Sequence, residues 1–432
     1  MLRPLRPHQA RALILLRQTL LSGVRRVMLQ LPTGAGKTRL AAEVVKGALS
    51  KGNRVVFVVP AISLIDQAVR AFQGEGIGGI GVIQAGHPMT DAAAAVQVAS
   101  VQTLHRRPLP DADVVVIDEA HRWFAVFERW MADPAWARIP FIGLSATPWA
   151  GGLGRHYQRL IVAATLREMI EAGVLSPFRV FAPSHPDLSG VRTKAGDFLE
   201  ADLSRAMDRP ELVAEVVTTW QRLAEERPTL CFGVGRTHAR NLQRAFEAAA
   251  IPCGYVDAET PLPEREAIRE DFHAGALRVV CNVGCLTTGV DWDVRCIVLA
   301  RPTKSEMLFA QIIGRGLRTA EGKTDCLILD HSDTHRRLGF VTDIHHDALD
   351  DGSRGNRASA HSRRTPVECP TCAMLRPAHM DACPECGAGQ TAQPAAELTE
   401  MKRADGKQAE RQRWYSMLLQ VAKERGSRST WA

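Results

Sequence analysis

The segment Leu31-Pro-Thr-Gly-Ala-Gly-Lys-Thr38 joins an apolar run to a helical pattern. Thr33, Gly34, Ala35 and Gly36 make a small-residue turn whose backbone N–H groups can face phosphate oxygens. Lys37 can reach the β- and γ-phosphates of a nucleotide, and the Thr38 hydroxyl can ligate Mg2+. The strict phosphate-loop pattern opens on glycine, whereas this segment opens on Leu31. In Val114-Val-Val-Ile-Asp-Glu-Ala-His121, four apolar residues deliver Asp118, Glu119 and His121 to the carboxyl end of a strand. Asp118 is placed to hold Mg2+, and Glu119 to orient and deprotonate an attacking water. In Gln311-Ile-Ile-Gly-Arg-Gly-Leu-Arg318, Gln311, Arg315 and Arg318 stand at i, i+4 and i+7, which predicts one helix face. Cys369-Pro-Thr-Cys372 and Cys383-Pro-Glu-Cys386 can aim four thiolates at one Zn2+. A closed shell of that kind is structural, because it leaves no open position; an iron–sulfur cluster or redox disulfides are the alternatives.

These residues need elements to carry them. Val27–Leu31, Val55–Pro60, Val96–Ser100, Val114–Asp118 and Phe141–Ser145 are short, nearly continuous apolar runs, as buried parallel strands are. Helical patterns such as Lys37–Leu49 and Ile62–Phe72 intervene. The alternation recurs with strand candidates Thr229–Val234, Gly254–Val256, Arg278–Val283, Cys296–Ala300 and Asp325–Leu329. Arg236–Ala249, Pro263–Ala274 and Ser305–Ile313 are the helices between them. Such a chain is α/β, with two tandem parallel-sheet domains covered on both faces. The expected divisions are 1–182, a connector 183–210, a second domain 211–345, a linker 346–366, the cysteine module 367–390 and a basic amphipathic tail 395–432.

The chain has 432 residues, 45% hydrophobic and 23% charged, which excludes global disorder and leaves material for two or three cores. No apolar run approaches the roughly 20 residues of a membrane helix. The start, Met1-Leu-Arg-Pro, has no signal-peptide pattern, so no membrane role and a cytoplasmic location are expected. Several of the remaining six cysteines lie in apolar, strand-like runs and read as reduced core residues. The formal charge is +7, and residues 352–432 carry 13 Lys and Arg against 8 acids. That excess suits a polyanion or a solvated tail, and Arg354, Arg357, Arg363, Arg364 and Arg376 around the cysteine module are candidate contacts for a DNA backbone or for a docked protein.

With the phosphate loop and Asp-Glu-Ala-His in hand, the chain resembles the superfamily 2 helicases of the DEAH kind over about residues 1–345. Other motifs follow in order. Arg6-Pro-His-Gln9 resembles the adenine-reading glutamine motif. Val59-Pro-Ala with Leu64-Ile-Asp-Gln67, and Val101-Gln-Thr-Leu104, resemble the strand-contacting motifs Ia and Ib. Ser145-Ala-Thr-Pro148 resembles motif III, and Cys231-Phe-Gly-Val-Gly235 with His238 motif IV. Asn282-Val-Gly-Cys-Leu-Thr-Thr-Gly-Val-Asp291 resembles motif V, best at Gly289 and Asp291, and Gln311–Arg318 motif VI.

The resemblance implies two RecA-like domains, with ATP and Mg2+ as cofactors, and Arg315 and Arg318 acting as arginine fingers. Leu166–Leu175, Ala300–Ser305 and Leu327–His331, with the later cysteines, are similar to the RadD-like bacterial and phage repair helicases. That likeness implies a C-terminal zinc ribbon and helical tail. The partner it implies is single-stranded or branched DNA, gripped with little sequence preference, plus a repair or replication protein held through the tail. An RNA helicase, a restriction-type DNA translocase subunit and an ATP-switched nucleic-acid-binding adaptor are the alternatives.

Overall fold

Runs of Val, Ile and Leu without polar alternation persist as strands only when both faces are covered. In the computed structural model, which describes residues 4–287, 291–353 and 365–389, the chain builds two sheets of such strands. Their described residues form two units: 4–175 with 345–353, and 176–287 and 291–344 with 365–389.

The first sheet contains β1 (Arg26–Gln30), β2 (Val55–Val59), β3 (Ile80–Ile83), β4 (Val96–Ser100), β5 (Val114–Ile117), β6 (Phe141–Ser145) and β7 (Arg159–Val162). Its order is β3-β4-β2-β5-β6-β1-β7, and every pairing is parallel. Around it run α1 (Pro7–Leu21), α2 (Lys37–Leu49), α3 (Ile65–Gly74), α4 (Val101–His105), α5 (Ala125–Ala132) and α6 (Leu166–Glu171). Their apolar faces close over the strands: Phe72 of α3 meets Phe57 edge-on at 4.8 Å, and Trp130 of α5 meets Phe141 at 5.2 Å. Each ring so buried contributes about 1.5–3 kcal/mol.

The second unit holds β8 (Phe178–Phe181), the hairpin β9 (Thr193–Lys194) and β10 (Asp197–Phe198), and then β11 (Thr229–Phe232), β12 (Cys253–Val256), β13 (Val279–Asn282), β14 (Cys296–Leu299) and β15 (Cys326–Asp330). Its main sheet is ordered β12-β13-β11-β14-β15-β8, again parallel. The helices are α7 (Glu200–Met207), α8 (Pro210–Leu223), α9 (Arg236–Ala248), α10 (Leu262–His273), α11 (Glu306–Gly316) and α12 (Thr334–Leu338). The short antiparallel pair β16 (Val367–Glu368) and β17 (Leu375–Arg376) follows.

Three divisions differ from the sequence reading. Phe178–Phe181 pairs with β15, so the second unit starts at Ser176, ahead of the expected boundary at 182. The expected connector 183–210 carries a hairpin and α7, and Leu203 and Met207 bury against Val234. The start of the expected linker is also structured, since Leu349 joins the first unit's core. The expected tail 395–432 lies outside the described residues.

Candidate functional site

The first unit gathers its chemistry at the carboxyl ends of β1, β5 and β6. Gly34 and Gly36 take φ of +84° and +86°, a left-handed path open to glycine, which turns the chain from β1 into α2. Thr33 and Ala35 are buried, whereas Thr38 is exposed at the start of α2. Lys37 Nζ lies 2.9 Å from Glu119 Oε1, each side chain 16% exposed. In this state the lysine rests on the DEAH carboxylate.

Glu119 has φ +47°, rare for a residue with a Cβ, and its N–H donates to Asp118 Oδ1 at 2.9 Å. The backbone is thus bent where the two carboxylates must diverge, as strained residues at functional sites often are. Burial, and then the neighbouring Glu119 charge, push Asp118 up to about 6, with Lys37 pulling the other way. His121 Nδ1 lies 2.9 Å from Ser145 Oγ and 3.4 Å from Glu119 Oε2. Burial pushes His121 down to about 4 against the pull of Glu119, so its ring is neutral near pH 7. Ser145 Oγ also accepts from Thr147 N at 3.1 Å. The DEAH segment and the motif-III-like loop are one hydrogen-bonded assembly.

Gln9 sits beneath the phosphate loop. Its Nε2 donates to the carbonyls of Ala35 and Gly36, both at 3.3 Å, and its Oε1 accepts from Arg6 N at 3.0 Å. The amide expected to meet an adenine edge is therefore engaged with the loop itself. Motifs Ia and Ib are also linked: Gln102 Nε2 donates to Pro60 O at 3.2 Å, and Ser100 caps α4 by accepting from Thr103 N.

In the second unit, Arg315 is 6% exposed and its Nε donates to Thr287 O at 2.9 Å, which fastens motif VI to motif V. Gln311 is half-buried on the same helix. The single helix face expected for Gln311, Arg315 and Arg318 stops short, because α11 ends at Gly316 and Leu317 caps it. Arg318 lies beyond that end and ion-pairs with Asp291. Gly289 lies outside the described residues. The sequence reading missed Lys323, whose Nζ donates to the carbonyls of Val294, Gly316 and Arg318 and so holds the chain around that end. The clue available was a basic residue just past a helix terminus, where carbonyls lack partners.

The four paired cysteines converge, with every sulfur within 4.8 Å of the others. Cys369 and Cys386 Sγ are 3.5 Å apart, and Cys372 and Cys383 Sγ 3.6 Å. A tetrahedral zinc shell of 2.3 Å bonds needs sulfurs about 3.8 Å apart, so the set fits that ion. Each knuckle closes alike: Ala373 N donates to Cys369 O at 2.9 Å, and Gly387 N to Cys383 O at 2.8 Å. The module docks on the free edge of the sheet through Ala182 N and Ala373 O at 2.9 Å, and Arg179 reaches both Glu385 oxygens at 2.9 Å. Cys369 and Cys383 join the second unit's core. Arg376 is 2% exposed, so it offers no surface charge of the kind the sequence suggested. Arg354, Arg357, Arg363 and Arg364 lie outside the described residues. Among the described residues no helix is long and apolar enough to cross a membrane.

Residues 3–150 match the family described as "Type III restriction enzyme, res subunit", and residues 209–320 the "Helicase conserved C-terminal domain". A 51.5 kDa protein of a Lactococcus phage (isolate 7-9) is 28% identical over 83% of this chain and 77% of its own length. The yeast (Saccharomyces cerevisiae) protein catalogued as the ATP-dependent helicase IRC3 is 34% identical over 54% of this chain, which spans only 37% of its length. A fragment assigned as an HsdR subunit of a type I restriction enzyme from Vibrio vulnificus YJ016 shares the fold, with TM-score 0.59 and 23% identity over 80% of this chain and 68% of that one. Two parallel α/β sheets, the phosphate loop with its DEAH partner, and matches to both halves of the motor place the chain among the superfamily 2 helicases, nucleic-acid-dependent ATPases.

Proposed function

We propose that this chain is a DNA translocase or helicase driven by ATP hydrolysis. The observation that carries the reading is the linked set Lys37, Asp118, Glu119, His121 and Ser145 at one sheet edge. Binding of ATP draws Lys37 from Glu119 onto the β- and γ-phosphates and frees the carboxylate. Glu119 then takes a proton from water as its oxygen attacks the γ-phosphorus. The new P–O bond forms as the bond to the bridging oxygen breaks, giving ADP and inorganic phosphate. Thr38 and Asp118 would hold Mg2+, which supplies positive charge to the phosphate oxygens.

Arg315 and Arg318 serve as arginine fingers on that charge, worth roughly 10³–10⁵ in rate. Motifs Ia, Ib, IV and V grip the backbone, so little sequence preference is expected. Cys369, Cys372, Cys383 and Cys386 hold a structural Zn2+. The motor followed by a cysteine module, as in the RadD-like helicases, supports a role in repair or recombination, with single-stranded or branched DNA as substrate and a repair or replication protein as partner. The match of residues 3–150 to a restriction-subunit family favours a second reading, a motor subunit of a restriction system.

The test is ATP turnover with single-stranded, duplex and forked DNA and with RNA, alongside strand displacement. DNA should raise turnover at least about tenfold. If RNA alone does so, the substrate assignment fails; if no nucleic acid does, the motor reading fails.

A further inference from the structure

The expected linker opens with an ordered strap. Residues 345–353 follow chain of the second unit and precede the cysteine module, which also belongs to that unit, yet they group with the first. His346 lies against Trp149, ring centroids 5.1 Å apart and tilted 33°. Leu349 is 9% exposed in the core that includes Ala120, Phe127, Leu153 and Tyr157. Gly154 N donates to Asp350 O at 2.8 Å, and Arg155 Nε to Asp351 O at 2.5 Å. Gly352 takes φ +76°, a left-handed path that favours glycine, and a Cβ there would have to displace the end of the Arg155 guanidinium, 2.5 Å away.

The strap lies where the DEAH network ends. Glu119 Oε2 stands 3.4 Å from His121 Nδ1, which is 2.9 Å from Ser145 Oγ. Ser145 Oγ accepts from Thr147 N, and Trp149 N donates to Thr147 O at 2.8 Å. Trp149 then carries His346. Each step is a direct contact, and Ile344, the residue before the strap, belongs to the second unit.

We propose that residues 345–353 are a positioning strap for the Ser145–Trp149 loop, with His346 and Leu349 as positioning residues that tie the second unit's chain to the DEAH carboxylates. The inference rests on the motor reading above. It gives the strap the task of matching the hydrolytic network to the state of the second unit when nucleic acid is bound. Coupling of that kind is read directly as the response of turnover to nucleic acid.

The full chain should be assayed for ATP turnover with and without single-stranded DNA in wild type, His346→Ala, Leu349→Ala and the ring-retaining His346→Phe. Basal turnover and KM for ATP should stay within about twofold. Stimulation by DNA should fall at least about fivefold in both alanine variants and return in His346→Phe. Hydrogen exchange at the Gly154 and Arg155 amides of wild type should change at least about threefold on adding a non-hydrolysable ATP analogue, without DNA. Retained stimulation in both alanine variants overturns the proposal. So does a proportional loss of basal and stimulated turnover with a lowered unfolding midpoint, since that marks a merely structural strap. If wild type shows no stimulation at all, the motor reading is what fails. The exchange measurement still judges the strap, and amides indifferent to nucleotide overturn it.

Discussion

The two parallel sheets present the same kind of edge and use it differently. In the first unit, the ends of β1 and β5 carry Lys37, Asp118 and Glu119, whose charges neighbour one another across short loops. In the second unit, residues 184–208 lie over the corresponding ends. A Cβ at Gly235, after β11, would meet Ser204 Oγ at 3.1 Å. Beyond β14, Thr303 Oγ1 donates to Asp197 at 2.6 Å, and beyond β15, Ser184 Oγ lies 2.6 Å from His331 Nδ1. The acid at the end of β15 is consumed internally: Asp330 is fully buried and takes hydrogen bonds from His335 and Ser332, which hold its carboxyl well below the usual range against the opposing cost of burial. One architecture thus supports an edge of neighbouring charges and a covered one, because edge loops rather than strands decide which side chains stand there.

That contrast is easiest to break at its strongest point. Lys37→Ala and Glu119→Gln should each lower ATP turnover by about 10²–10⁴-fold, with ATP binding kept in the glutamine variant. Asp330→Asn, at the other edge, should leave turnover per folded molecule within about twofold while lowering stability. Turnover and thermal unfolding measured together decide this, and a reversal would dissolve the distinction.

The second unit carries instead the cysteine module, and the proposed zinc site gives the next test. Cys383→Ser should abolish zinc binding and destabilise that unit by at least several kcal/mol, because a small module has little core of its own. Metal analysis with calorimetry checks this, and ATP binding by the first unit should persist. A smaller loss, about 1–3 kcal/mol, is expected for Asp325→Ala. That change strips one carboxylate from both Arg179, at 2.7 Å, and Arg227, at 2.6 Å, which brace β8, the strand on which the module docks.

The module's attachment should also respond to pH. His185 is hydrogen-bonded to Asp333 at 2.8 Å and contacts Glu368 at 3.1 Å, and these partners push it up to about 9 from 6.5. A pKa raised by folding stabilises fully below about 6.5 and fades as pH rises through about 9. The unfolding midpoint of the second unit should therefore decline gently over that window, and less so in His185→Gln. The effect is modest because the side chain is 39% exposed and screened by solvent. The smallest change expected is a gain. Ala373 takes φ +63° at the position where the other knuckle has Gly387 at +72°. Ala373→Gly should stabilise by up to about 1 kcal/mol, and a loss would show that the two knuckles are not equivalent.

Strands and motifs were legible wherever the signal is local. The β1 and β5 runs with their glycine turn and acidic pair are short and continuous, and a buried parallel strand needs little more. Phe178–Phe181 was missed because four residues after a helix carry no periodic signal, and only pairing with β15 defines them. Arg318 was expected on the helix because a spacing of seven implies a face, but the chain leaves the helix at Gly316. The packing there is tight, since a Cβ on that glycine would meet Cys326 Sγ at 2.4 Å.

By itself the sequence determined which groups this protein has for chemistry: a phosphate turn, a carboxylate pair, two late arginines and four thiols. Those follow from side-chain identity and from spacings of a few residues, which local backbone geometry enforces. Only the tertiary structure decided where the groups rest. It set Lys37 on Glu119, Arg315 on Thr287, the cysteine module on β8 and residues 345–353 behind Trp149. Such contacts join segments far apart in the chain, and their free energy comes from burial and hydrogen bonding that no local pattern encodes.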